Sequence, residues 1–161
     1  MAKDYTAAVQ ALIGPEEQIE ALGLFALQDN YKAITAGGMA GGSAVPGGSN
    51  ALAGALGNAA GMEAGRQANA AAQGVTERML IAVTGGSIHV LAMPMVGGEP
   101  ERELMRFDRA NTDVEVKRFG LSKRLHLTDR ASGHELKLQG TTAKFAPGAE
   151  GDKAVLAALQ A

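Results

Sequence analysis

The chain has 161 residues, no cysteine, and 15 Lys and Arg against 17 Asp and Glu, for a net charge of −2 and a pI near 5.9. That length fits one domain, and 46% apolar content suffices for a packed core. The charge balance excludes bulk attraction to nucleic acid or to an anionic membrane, and the lack of cysteine excludes disulfides and thiolate metal sites.

The start, Met1-Ala-Lys-Asp-Tyr5, lacks the apolar stretch of a signal peptide, which sets the expectation of a cytoplasmic protein. Asp4 is placed to cap a short helix with Tyr5, Val9, Leu12 and Ile13 on one face, and Gly14-Pro15 ends it. A strand is expected over Gln18 to Leu27.

Between that strand and the next lies a segment, residues 34–76, dominated by Gly and Ala. Ala33 to Met62 carries no charge, and 11 of the 22 glycines fall between Gly37 and Gly74. Pro46-Gly47-Gly48 marks a tight corner. Beyond it, Ser49 or Asn50 suits a helix cap, and Gly54, Gly57, Gly61, Gly65, Ala68 and Ala72 line one helical stripe of small residues. Such a stripe lets another backbone approach closely. Because each helical Gly costs about 1 kcal/mol relative to Ala, the helix needs packing to hold it. Three readings follow: a flexible linker, a spanning helix, or a helical hairpin for self-association or shallow membrane contact. A span needs about 20 mainly apolar residues, and Asn58, Glu63, Arg66 and Asn69 interrupt the run. The hairpin is the expectation, with Leu52 and Leu56 beside the glycines as contact residues.

Past the insertion the period changes from helical to alternating. Thr84-Gly85-Gly86-Ser87 suits a two-residue turn that pairs Val83 with Ile88 and Ile81 with Val90, leaving Leu80 and Leu91 on the other side. A strand over Glu103 to Asp108 follows the loop from Val96 to Pro100. Gly120-Leu121 suits a type II′ turn, which pairs Val116 with Leu125 and Val114 with Leu127 inside and Glu115 with His126 outside. Ser122 to Asp129 and His134 to Gln139 form a further pair, and a final helix beginning near Asp152 presents Val155, Leu156 and Leu159.

The segments Ile13-Gly-Pro-Glu-Glu-Gln-Ile-Glu-Ala21 and Arg78-Met-Leu-Ile-Ala-Val-Thr84, with the terminal helix, resemble short bacterial pleckstrin-homology-like (PH-like) domains. The resemblance covers most of residues 13 to 160 apart from the insertion. It implies a mainly β fold, an open seven-stranded barrel plugged by the C-terminal helix, with the Gly/Ala insertion between the first two strands of a single domain. Many PH-like domains bind phosphoinositides around the loop joining those strands. Here that loop is the insertion, with only Arg66 and Arg78, so the pattern departs from inositide recognition.

No phosphate loop, nucleophile elbow or zinc-protease motif is present, and Gly37-Gly38-Met39-Ala40-Gly41-Gly42 lies outside any strand–helix–strand unit. His126 and His134 with Asp129 give too few ligands for a metal, and a surface pair between His126 and Glu115 is the simpler reading. His89, among apolar residues, reads as a core or edge histidine. The basic hairpin sets Lys117 opposite Arg124 and Arg118 opposite Lys123, and like charges across a sheet repel. Either Asp113, Glu115 and Asp129 relieve them, the side chains splay into water, or something anionic does so. Aromatics are 4% of the chain and no strand interleaves them with basic residues, which argues against nucleic acid.

The expectation is a non-enzymatic binding and assembly module without cofactor: the barrel docks a protein partner, and the insertion drives homo-oligomerisation or rests on the inner membrane face. The alternative is a carrier enclosing a lipid- or quinone-like molecule, with Met79, Met93, Met95 and Met105 lining the cavity.

Overall fold

The structure is a computed structural model that describes residues 4–27, 68, 70–71, 78–94, 97–141 and 149–161. The chain divides into two compact units, one made of Met1–Gln28 with Arg78–Ala161 and the other of Asp29–Glu77. In the second unit Ala68, Ala70 and Ala71 have helical backbone. Gly54, Gly57, Gly61, Gly65, Leu52 and Leu56, and with them the expected helical hairpin, lie outside the described residues.

The first unit holds helix α1 (Thr6–Ile13), strands β1 (Ile19–Leu27), β2 (Arg78–Thr84), β3 (Ser87–Ala92), β4 (Arg102–Asp108), β5 (Thr112–Phe119), β6 (Ser122–Asp129) and β7 (Glu135–Thr141), and helix α2 (Ala149–Gln160). All strand pairs are antiparallel, in one sheet ordered β4-β3-β2-β1-β7-β6-β5. The sheet is open, with β4 and β5 at its edges, and a 3-10 turn at Arg109–Asn111 joins them. The fold is therefore mainly β with two flanking helices, as the alternating pattern requires.

The turn chemistry sets the registers. Ile81 pairs with Val90 and Val83 with Ile88 across the first hairpin, and Leu80 meets Leu91 on its opposite face. The buried Thr84 hydroxyl accepts the Ser87 N–H at 3.1 Å and closes that turn. In the second hairpin Val116 pairs with Leu125, Val114 with Leu127 and Glu115 with His126, around Gly120 at φ 60°, the positive value the first central position demands.

The two faces of the sheet are built differently. On one face Ile81, Val83, Ile88, Val90, Phe107, Leu125, Leu127, Leu136 and Leu138 form an apolar surface completed by Val155 and Leu156 of α2. On the other, α1 covers the β1–β4 region, where Val9 and Ile13 pack with Leu80, Ala82, Leu91 and Met93. Strands β2 and β3 are consequently buried on both sides, which is why they read as nearly unbroken apolar runs. Two expectations for α1 need correction. Leu12 is exposed instead of sharing the buried face, because Tyr5, Val9 and Ile13 already occupy the stripe that meets the sheet. Asp4 precedes the cap position, held by Tyr5, although its carboxylate does accept the Thr6 N–H at 2.9 Å. Helix α2 also starts three residues before Asp152.

Helix α2 reaches the sheet through glycine. A Cβ at Gly151 would stand 2.6 Å from the Leu22 carbonyl oxygen, and one at Gly23 would stand 3.0 Å from the Gly151 backbone. Arg109 fixes the other end of α2: Nη2 donates to the Ala158 carbonyl at 2.8 Å, while Nη1 donates to the Thr84 carbonyl at 2.7 Å and to Glu20 at 2.9 Å. The Ala158 carbonyl belongs to the last turn and lacks an intrahelical partner, so the guanidinium caps it.

Gly151→Ala should gain up to about 1 kcal/mol of helix propensity yet lose more to the clash, for a net loss of roughly 1–2 kcal/mol in urea unfolding. Gly86→Ala, whose Cβ meets nothing within 4 Å, serves as the control and should stay within about 0.5 kcal/mol. Arg109→Ala should lower stability by about 1–3 kcal/mol in the same assay, and Arg109→Lys should recover only part of that, because an ammonium cannot span three acceptors in the same fixed geometry.

Candidate functional site

The ten residues from Val116 to Leu125 contain four cations, Lys117, Arg118, Lys123 and Arg124, and no acid. The β5–β6 register sets Lys117 opposite Arg124 and Arg118 opposite Lys123. Adjacent strand positions point to opposite faces, so Lys117 and Arg124 project from the outer face with Glu115 and His126, while Arg118 and Lys123 project on the side that carries Leu125 and Leu127.

Of the three carboxylates expected to neutralise the hairpin, one reaches it. Glu115 accepts from Lys117 at 3.0 Å, and that hydrogen bond holds its carboxyl below the ordinary carboxylate range. Asp113 instead pairs with Arg130 at 2.8 Å. Asp129 turns back into its own loop, accepting from the Ala131 N–H at 2.9 Å and the Ser132 hydroxyl at 2.8 Å, which lower its pKa. Among the described residues, Arg118 and Lys123 form no ion pair. The hairpin tip thus keeps a positive excess on a chain that is negative as a whole.

The outer face beside the tip is a shallow depression of about 290 Å³ lined by Glu115, Lys117, Arg124, His126 and Lys137. Register creates it, because Glu115, His126 and Lys137 stand in one row across three strands. His126 lies between two carboxylates, 3.7 Å from Glu115 and 3.6 Å from Glu135. It is the cross-strand pair the alternation indicates, with a second acid added by β7. His134 lies elsewhere, stacked on Phe107 with ring centroids 6.2 Å apart. His126, His134 and Asp129 do not gather, and no group of three or more metal-ligating side chains occurs among the described residues.

His89 proves to be wholly buried, on the face covered by α1, with Nδ1 donating to Glu103 at 2.8 Å. Its Nε2 makes no hydrogen bond among the described residues and stands 3.9 Å from the Glu17 carboxylate. Glu103 also accepts from Arg106 Nε at 3.0 Å. Burial works against the Glu103 charge, but the hydrogen bonds from Arg106 and His89 outweigh it and hold the carboxyl below its ordinary range. Sequence spacing gave no sign of this set: Glu103 is 14 residues from His89, and a bulge at Val90/Leu91 shifts the register between their strands. His89 is enclosed, while Glu103 and Glu17 are partly exposed and Arg106 is about half exposed, so the cluster runs from the core to the surface. Met79 and Met93 are likewise core residues, on opposite faces of the sheet, and Met95 lies outside the described residues.

No protein-family model, curated protein or solved structure matches the chain. Among the described residues no helix is long and apolar enough to cross a membrane.

A carboxyl whose folded pKa is depressed contributes stability that is present above its unfolded pKa and lost as pH falls through the folded value. The wild type should therefore lose stability on acidification below about pH 4.3, the unfolded range for Glu, and Glu103→Gln should flatten that loss. At neutral pH the substitution should cost roughly 1 kcal/mol, because Gln still accepts from His89 but surrenders the charge-assisted bond to Arg106. Chemical unfolding midpoints measured at pH 3, 4 and 7 read both effects.

Proposed function

We propose that this chain is a non-enzymatic binding and assembly module with a PH-like barrel. The barrel docks an acidic partner at its β5–β6 hairpin, and the glycine-rich insertion drives self-association or rests on a membrane. The observation that carries this reading is the positive excess at the hairpin: Lys117 has Glu115, whereas Arg118 and Lys123 have no acidic partner among the described residues. Like charges directly across a sheet destabilise it, so their retention makes sense where a counter-charge arrives from outside. Strand order and a C-terminal helix packed on one face of the sheet are what a PH-like barrel requires, and they support that part of the proposal.

The role of the insertion rests on its sequence. Gly57, Gly61 and Gly65 form overlapping small-xxx-small units, a pattern that admits a second helix at close range. Replacing all three with Leu should abolish any oligomer seen by multi-angle light scattering and reduce recovery with membranes. An unchanged mass and unchanged membrane recovery would remove the insertion from the proposal.

A further inference from the structure

We propose that the tip of the β5–β6 hairpin contacts a bilayer rich in anionic lipid, with Leu121 entering its surface and Lys117, Arg118, Lys123 and Arg124 engaging the head groups. This names the acidic partner of the module and rests on that reading.

Leu121 is 73% exposed, twice as exposed as Leu12, the other large apolar side chain left at the surface among the described residues. Its position follows from the turn. Gly120 takes the left-handed φ, so β5 reverses within two residues and Leu121 occupies the second of them, at the apex. The cations stand immediately behind it on both faces of the ribbon, Lys117 and Arg124 on one and Arg118 and Lys123 on the other. An acidic protein patch set against Arg118 and Lys123 would leave the apex leucine in water, and on the other face Lys117 already has Glu115. A bilayer entered by the tip surrounds the ribbon, so head groups reach both faces while the acyl boundary receives the leucine. A single leucine anchors weakly, and basic residues near an anionic surface supply the remaining attraction, which gives reversible, salt-sensitive binding.

The chain contains no tryptophan, so Leu121→Trp places a lone fluorophore at the apex while keeping it apolar. With the full-length protein and vesicles of phosphatidylcholine alone or with phosphatidylserine, the emission should move to shorter wavelength only with the anionic vesicles. Brominated acyl chains should then quench it. In co-flotation, Arg118→Ser with Lys123→Ser should lower the partition constant roughly thirtyfold and Leu121→Ser at least about tenfold, and 0.5 M salt should release the wild type. Arg118 and Leu121 are exposed and Lys123 is half-buried, and an unchanged thermal midpoint shows that the variants fold.

Unshifted Trp emission, or undiminished partition of the Arg118/Lys123 variant, overturns this inference. Retention of the wild type on polyglutamate but on neither vesicle also overturns it, pointing to an acidic protein and leaving the module reading intact. Failure of the module reading itself would show separately, as a monomer that binds neither vesicles nor polyglutamate.

Discussion

Strand β1 has to serve two halves of the sheet and a helix at once. Along most of its length it pairs with β2, from Ile19 opposite Thr84 to Ala26 opposite Arg78, and at its end Ala26 and Leu27 pair with β7. Among the described residues, that short shared stretch is the strand pairing that joins the four-strand group to the three-strand group, and the Thr112 hydroxyl donates to the Asp108 carbonyl where β4 leads into β5. Helix α2 reinforces the join by lying against β1, where Gly23 and Gly151 allow the two backbones to touch. A side chain at either position would push the helix away and open the apolar face that Val155 and Leu156 close.

Arg109 complements this contact from the opposite end of the helix. It sits in the turn joining the two edge strands and ties together β1 through Glu20, β2 through the Thr84 carbonyl, and α2 through Ala158. Three acceptors converge on one guanidinium, a planar fork with five donors, a role an ammonium fills poorly. The core is therefore secured at Gly151 near the start of α2 and at Ala158 near its end.

The division of labour between the faces explains where polar chemistry can occur. Under α1 the sheet is apolar on both sides except at His89, whose buried ring has Glu103 as a partner, itself held by Arg106. Across β5 to β7 the corresponding face carries Glu115, Lys117, Arg124, His126 and Lys137 in aligned rows. The sheet is continuous, so the same strand geometry yields a buried clamp in one half and an open polar face in the other. Coverage by α1 makes the difference.

Much of this was legible in the residues. The two hairpin registers follow from local turn chemistry, since Gly85-Gly86 and Gly120-Leu121 fix which residues face each other and alternation fixes which face is buried. The crossed cations and the pair of Glu115 with His126 come with the same register. Helix α1 was recognisable as an apolar stripe, but which residues of the stripe touch the sheet was not, and Leu12 fell outside it.

Sequence alone determined the strands, their hairpin partners and the charge of the tip, because each depends on neighbours a few residues away. Tertiary structure decided the rest: that Glu103 reaches His89, that Arg109 caps a helix 49 residues on, that Asp113 and Asp129 turn to other partners, and that Lys137 joins the polar row. Those contacts join residues far apart in the chain, through a bulge, a β1–β7 junction and a glycine-mediated helix contact that no local pattern encodes.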